Sequence, residues 1–280
     1  MAGTPSASNR GISAVFAMSC ITVEFGRTAA LSDVSLEVRA QEVVGVMGPN
    51  AAGKSTLLGV AGGSVRPTSG HLAWHGTEVT DLGPRRWAKL GISGTTQKLS
   101  LDDRKSVLEN VMVGADRPAR PGPLAGILAR PRSQQEHREL KDRAFAALND
   151  VGIARSAEEY PAGLPTAVQR RVALARALIS QPELLLLDEL SSGLSPDERS
   201  ALGETVRGLT RRTAVVLVEH DMDLLVRWCD HLIVLDAGHV IAQGAPKEVS
   251  SDPAVVAAYV GDGQHHGNDG DGDGEPLGSP

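Results

Sequence analysis

The sequence predicts an α/β fold: a P-loop core on a mostly parallel sheet, with an antiparallel β subdomain and a helical subdomain. Three observations predict the core. Residues 42–47 (EVVGVM) form an apolar run that passes directly into residues 48–56 (GPNAAGKST), and Leu57, Leu58, Val60 and Ala61 then continue as a helix. Residues 184–187 are four leucines that end on Asp188 and Glu189. Residues 214–218 (AVVLV) form another such run, ending on Glu219, His220 and Asp221. Short, continuously apolar runs suit parallel strands covered on both faces. Ligands of such sheets gather at the carboxyl ends of the strands, where these polar groups fall.

The stretch at 48–56 matches G-x-x-x-x-G-K-[ST], a phosphate-binding P-loop, in the strand–loop–helix context that motif requires. Gly48, Pro49, Asn50, Ala51, Ala52 and Gly53 supply a turn whose backbone N–H groups can cradle phosphate oxygens. The helix beginning near Lys54 adds the positive end of its dipole. Lys54 can reach the β- and γ-phosphates, and the Ser55 hydroxyl, followed by Thr56, can ligate Mg²⁺.

Length and composition bound the remainder. The 280 residues, 41% of them hydrophobic, suffice for one large α/β domain or two small ones. Aromatics make up only 3%, so the core is expected to be Leu, Val and Ala. No apolar run is long enough to predict a transmembrane helix, and residues 1–10 lack the pattern of a signal peptide. The two cysteines, Cys20 and Cys229, form no spaced pattern, which argues against a disulfide framework or a zinc site. Five acids and no Lys or Arg lie in residues 261–280, so removing those acids takes the formal charge from −6 to −1. A near-neutral body gives no reason to expect a nucleic-acid partner.

In chain order, residues 1–17 read as a loose leader. Residues 21–25 and 34–38 alternate as two short strands, an antiparallel hairpin beside the nucleotide site. Phe25 can stack on an adenine ring or serve as an ordinary core aromatic. Residues 70–79 read as strand and turn around His75 and Gly76, and residues 81–90 as a short helix. Residues 91–97 read as a strand ending on Gln97, either a magnesium or water ligand or a surface amide. Residues 106–113 are apolar on one side. Residues 114–132 carry Arg117, Arg120, Arg130 and Arg132 among Pro and Gly, either a solvated loop or one lying near lipid headgroups. Residues 133–151 form an amphipathic helix with Leu140, Phe145 and Leu148 on its apolar side, and residues 166–180 form a second. Helices over 198–209 and 222–228, a strand over 232–235 and a short helix over 253–260 follow. The Gly/Asp-rich stretch from 261 to 280 is too polar to pack.

With these pieces in order, the chain resembles an ATP-binding cassette (ABC) transporter ATPase from about residue 19 to 260. Residues 48–56 look like that family's Walker A and residues 184–189 like its Walker B. Gln97 matches the Q-loop, residues 191–196 (SSGLSP) the D-loop and His220 the switch histidine, and Phe25 falls near the adenine-stacking aromatic. Residues 107–111 (VLENV), the Arg/Pro-rich loop and residues 219–222 (EHDM) look most like the branched-chain amino acid, urea or amide importer subfamily. The resemblance implies one cassette over residues 18–260, with a helical subdomain near 98–180. It implies bound ATP and Mg²⁺, the metal held by Ser55, Asp188 and Gln97. Glu189 is then the general base, with Lys54 and His220 on the phosphates. The implied partners are transmembrane permease subunits, a second cassette and, indirectly, a solute-binding protein, at the cytoplasmic face of the plasma membrane. A rival reading is a cassette that binds ATP as a regulatory or structural partner with little hydrolysis.

Departures from the family pattern cluster. The signature LSGGQ or LSYGQ here reads LPTAV at residues 164–168, although Gln169, Arg170 and Arg171 follow as usual. Ala51 and Gln41 stand where Gly is usual, and Leu190 and Ser195 where Pro and Asp or Asn are common. The chain's own nucleotide site is kept and its trans-acting surface is eroded. A heterodimer with an intact second cassette is the expectation that follows.

Overall fold

The computed structural model describes residues 14–87, 89–95, 100–115 and 134–262. Gln97, the four loop arginines, residues 1–13 and residues 263–280 lie outside the described residues. The chain begins with two long strands, β1 (Ala14–Phe25) and β2 (Thr28–Arg39), then β3 (Val43–Met47) and the P-loop helix α1 (Lys54–Ala61). β4 (Ser69–Trp74), β5 (Thr77–Glu78), the short α2 (Pro84–Trp87) and β6 (Ile92–Gly94) follow. Then come α3 (Val107–Val113), α4 (Gln134–Asp150), α5 (Thr166–Leu178) and β7 (Leu184–Asp188). The chain continues through α6 (Pro196–Leu209), β8 (Ala214–Val218), α7 (Met222–Trp228), β9 (His231–Asp236) and β10 (His239–Gly244), ending in α8 (Pro246–Ser250) and α9 (Pro253–Asp262).

Two sheets form among the described residues. The larger runs β10-β9-β3-β8-β7-β6, parallel except for β10, and the smaller runs β2-β1-β4-β5, antiparallel throughout. The strands of the larger sheet are apolar on both faces because two cores flank it. Met47, Leu185, Leu187, Val215, Leu217 and Val234 point into one, shared with α3 to α7. Val44, Val46, Leu184, Leu186, Val216 and Ile233 point into the other, shared with α1 and the antiparallel sheet. The period-2 alternation is therefore present but hidden in sequence, since both faces carry the same residue types.

Some sequence expectations need correction. Residues 14–17 are no loose leader, because β1 starts at Ala14: Phe16 and Met18 are buried and pair with Val38 and Leu36 of β2 and with Trp74 and Leu72 of β4. The helix expected over 81–90 is a single turn at Pro84–Trp87. Phe145 does not join the apolar side of α4: it is 49% exposed, while Leu140, Ala144, Ala147 and Leu148 are buried. Phe25 is no core residue either, being 58% exposed at the end of β1.

Helix ends follow local chemistry. Ser106 and Ser195 cap α3 and α6 through reciprocal bonds with Glu109 and Glu198, each cap contributing about 1 kcal/mol. No helix among the described residues is long and apolar enough to cross a membrane.

Candidate nucleotide site

The parallel registers bring three strand ends level. Asp188 of β7 lies opposite Val218 of β8, and Val218 opposite Val46 of β3. The chain therefore leaves the sheet at the same height in three places: into the P-loop after Met47, at Glu189 and at Glu219. Backbone bonds continue the pairing one step past the strands, from Glu189 N to Val218 O (3.0 Å) and from Glu219 N to Val46 O (3.3 Å).

The P-loop is held from behind by the turn between β9 and β10. Gly238 N donates to Ala52 O (3.1 Å), and Ser32 N of β2 donates to Gly238 O (2.8 Å). Two glycines are required by contact as well as by conformation. A Cβ on Gly48 (φ 154°) would lie 2.2 Å from Leu235 O, and one on Gly53 (φ 104°) 2.5 Å from Ala30 O. Such contacts leave room for nothing but hydrogen. Lys54 is 7% exposed, and its Nζ donates to the carbonyls of Gly48 and Pro49, both at 2.7 Å. The ammonium thus sits inside the loop that would surround a phosphate.

The departures from the family's glycines have a geometric meaning. Ala51 takes φ 64° and Gln41 φ 63°, so both are left-handed positions occupied by residues with a Cβ. Each costs on the order of 1–2 kcal/mol relative to an unstrained backbone, a cost the surrounding contacts offset.

Glu189 is a third such position, at φ 46°. This turn aims its carboxylate at the His220 ring, with Oε1 2.6 Å from Nε2. His220 is exposed, so the pair lies at the surface end of the site. Asp188 is half-buried beside it, and its backbone N–H points to Thr95 Oγ1 at 3.4 Å. The Ser55 hydroxyl and the Asp188 carboxylate are hard oxygen donors of the kind Mg²⁺ takes. A glycine cradle, a loop-enclosed ammonium and these donors fit a nucleoside triphosphate with its metal. Phe25, exposed, leaves a ring face available for stacking. Gln97 lies outside the described residues, just beyond Thr95.

The segment at 164–168 shows what its substitutions do. Pro165 is the N-cap of α5 (φ −55°, ψ 149°) and makes no side-chain cap bond. A proline there has neither a hydroxyl nor an N–H. Beyond it Gln169, Arg170 and Arg171 lie within α5. Gln169 Nε2 donates to Pro161 O (3.1 Å) and Leu164 O (2.9 Å), and Arg170 Nη2 to Ser192 O (3.3 Å).

Sequence reasoning missed Glu219 and Arg199 as site residues. Glu219 is 3% exposed and accepts from the Ser191 N–H and hydroxyl, both at 2.8 Å. Burial pushes its carboxyl above the usual carboxylate range, and the Ser191 bonds act against that. Arg199 pairs with Asp221 (3.0 Å) and donates to Leu194 O (3.0 Å). The available signal was an acid directly after a fully apolar strand.

Comparison with known proteins agrees with this geometry. The ABC transporter family matches residues 31–192, and a branched-chain amino acid ATP-binding cassette transporter family matches residues 239–265. The chain is 33% identical over 250 residues to the high-affinity branched-chain amino acid transport ATP-binding protein LivG of Salmonella typhimurium, covering 89% of this chain and 98% of that protein. It is 32% identical over the same shares to BraF of Pseudomonas aeruginosa, which carries the same description, and 38% identical to the methionine import ATP-binding protein MetN of Caulobacter vibrioides, covering 83% of this chain and 67% of that protein. Among solved structures it resembles a nucleotide-free ATP-binding cassette from an ABC transporter (TM-score 0.79, 27% identity, 88% of this chain and 98% of that one). It also resembles a dimeric cassette in a post-hydrolysis state with ADP and Pi (TM-score 0.68, 26% identity, 82% and 98%).

Proposed function

The chain belongs to the ABC transporter family as an ATP-binding, ATP-hydrolysing subunit, and from that premise we propose that it powers uptake of branched-chain amino acids. The permease subunits that carry the solute are separate chains, and a solute-binding protein delivers it to them. This chain works on them from the cytoplasmic face. Likeness to LivG and BraF along nearly the whole chain, joined to the family match at residues 239–265, carries the reading. The test is ATP-dependent leucine uptake by vesicles holding the chain with its permease subunits and solute-binding protein. Uptake that needs this chain supports the reading. Uptake of methionine but not leucine would contradict it.

Within the site, Lys54 neutralises charge on the β- and γ-phosphates and Phe25 stacks on the adenine. Ser55, Asp188 and Gln97 would hold Mg²⁺, which would supply charge neutralisation at the phosphate oxygens. Glu189 orients a water and takes its proton, and His220 holds Glu189 and meets the γ-phosphate.

The chain pairs with a second, intact cassette. In the family, the signature hydroxyl and neighbouring N–H groups of one subunit reach the γ-phosphate bound to the other. Pro165 supplies neither donor, and Ala167 and Val168 replace a Gly and a Gln. Hydrogen bonds to charged groups contribute about 1.5–3 kcal/mol each, so the loss of two lowers turnover by on the order of 10²-fold or more at any site this signature completes. The competent site therefore combines this chain's P-loop, Asp188 and Glu189 with the partner's signature. The isolated chain is expected to hydrolyse MgATP slowly, and Pro165→Ser with Ala167→Gly to raise that rate by about 10²-fold. Rapid turnover by the isolated wild-type chain, unmoved by the double change, would refute the pairing.

A further inference from the structure

We propose that Glu219 is a positioning residue for hydrolysis: its buried side chain clasps Ser191 and so fixes the loop that presents Glu189. The proposal rests on the role given to Glu189 above. The loop in question, residues 189–194, begins with Glu189 in a left-handed conformation (φ 46°) that an unrestrained chain would leave. Within it Ser192 N donates to Glu189 O (3.3 Å) and Leu194 N to Ser191 O (3.2 Å). Neither ties it to the sheet. Glu189 N ties the loop's first residue to β8 through Val218 O (3.0 Å), and the tie beyond it comes from Glu219, whose Oε1 accepts from Ser191 N and whose Oε2 accepts from Ser191 Oγ, both at 2.8 Å. Glu219 is itself fixed, because its N–H donates to Val46 O of the strand that leads into the P-loop.

The chemistry singles out this residue. An acid 3% exposed is costly to bury unless its oxygens are bonded, and here a backbone N–H and a hydroxyl of one residue engage both. The next residue, His220, lies 2.6 Å from Glu189. The one after it, Asp221, holds Arg199, which grips Leu194 O at the far end of the loop. Three consecutive residues after β8 thus hold the segment after β7 at its start, middle and end. Without the middle hold, the loop that follows Glu189 can shift relative to β8, and the Glu189 carboxylate is held less firmly. A misplacement of about 1 Å of a reacting group costs on the order of 10²-fold in rate.

The experiment compares steady-state phosphate release and MgATP affinity in the complex of this chain with its second cassette. Glu219→Ala is expected to lower turnover by about 10–100-fold with MgATP affinity unchanged. Glu219→Gln is expected to recover most of it, because the amide oxygen accepts from Ser191 N and the hydroxyl can turn to accept from the amide. Adding Ser191→Ala to Glu219→Ala should cost nothing further, since the bond is already gone. If Glu219→Ala does not fold, Ser191→Ala alone removes one arm and should lower turnover severalfold at constant affinity. Unchanged turnover in these variants, losses that multiply, or a fall in affinity that accounts for the whole effect would overturn the clasp. A Glu189→Gln variant that turns over normally would instead overturn the assignment of Glu189, and the clasp with it.

Discussion

Replacing Glu189 by Gln is expected to leave MgATP binding intact and to slow phosphate release by roughly 10²–10⁴-fold, the scale of losing general-base help. Glu189 leaves β7 at its carboxyl end, directly after Asp188, with φ 46° turning the side chain toward His220. An amide fills the same space and keeps a hydrogen bond to the imidazole, so the fold and the nucleotide cradle are preserved. It cannot take a proton from water at neutral pH, so only the chemical step is lost. Steady-state phosphate release alongside equilibrium MgATP binding separates the two effects. Equal loss of binding and turnover would assign Glu189 to the cradle rather than to the reaction, and unchanged turnover would remove it from the mechanism.

Replacing Lys54 by Ala is expected to weaken MgATP binding by about 10²–10⁴-fold and to abolish measurable hydrolysis, if two charge-assisted hydrogen bonds of about 1.5–3 kcal/mol are lost. The ammonium lies within the P-loop, donating to the carbonyls of Gly48 and Pro49. Its removal takes away a positive charge where phosphate charge is to be placed, and also two bonds that shape the loop. Titration calorimetry with MgATP reads the first effect, and thermal unfolding without nucleotide reads the second. An affinity equal to wild type would contradict the P-loop assignment.

The core of this site was legible because its residues carry chemistry at fixed spacing. The P-loop, Asp188, Glu189 and His220 all follow apolar runs directly, so their placement at strand ends came from pattern alone. What stayed hidden depends on contacts between distant segments. β1 is longer than its alternation suggests because β2 and β4 bury its start, and neither partner is marked locally. Phe145 sits at a position that fits the apolar repeat of α4, yet it is about half exposed, while Leu140, Ala144 and Leu148 are buried. Pro165 lacks a hydroxyl and an N–H in any setting, but its place at the N-cap of α5 is known only from the backbone. Glu219 stood in plain view beside His220. Its role depends on Ser191, twenty-eight residues earlier in the chain, which no spacing rule connects to it.

Phosphate release from the two-cassette complex, with the base changed in one subunit at a time, shows directly where ATP is hydrolysed. Glu189→Gln in this chain, with the partner wild type, is expected to remove nearly all turnover. The corresponding change in the partner, whose nucleotide faces this chain's residues 164–168, is expected to leave most of it. Equal losses from the two changes, or a greater loss from the partner's, would contradict the assignment of the competent site to this chain.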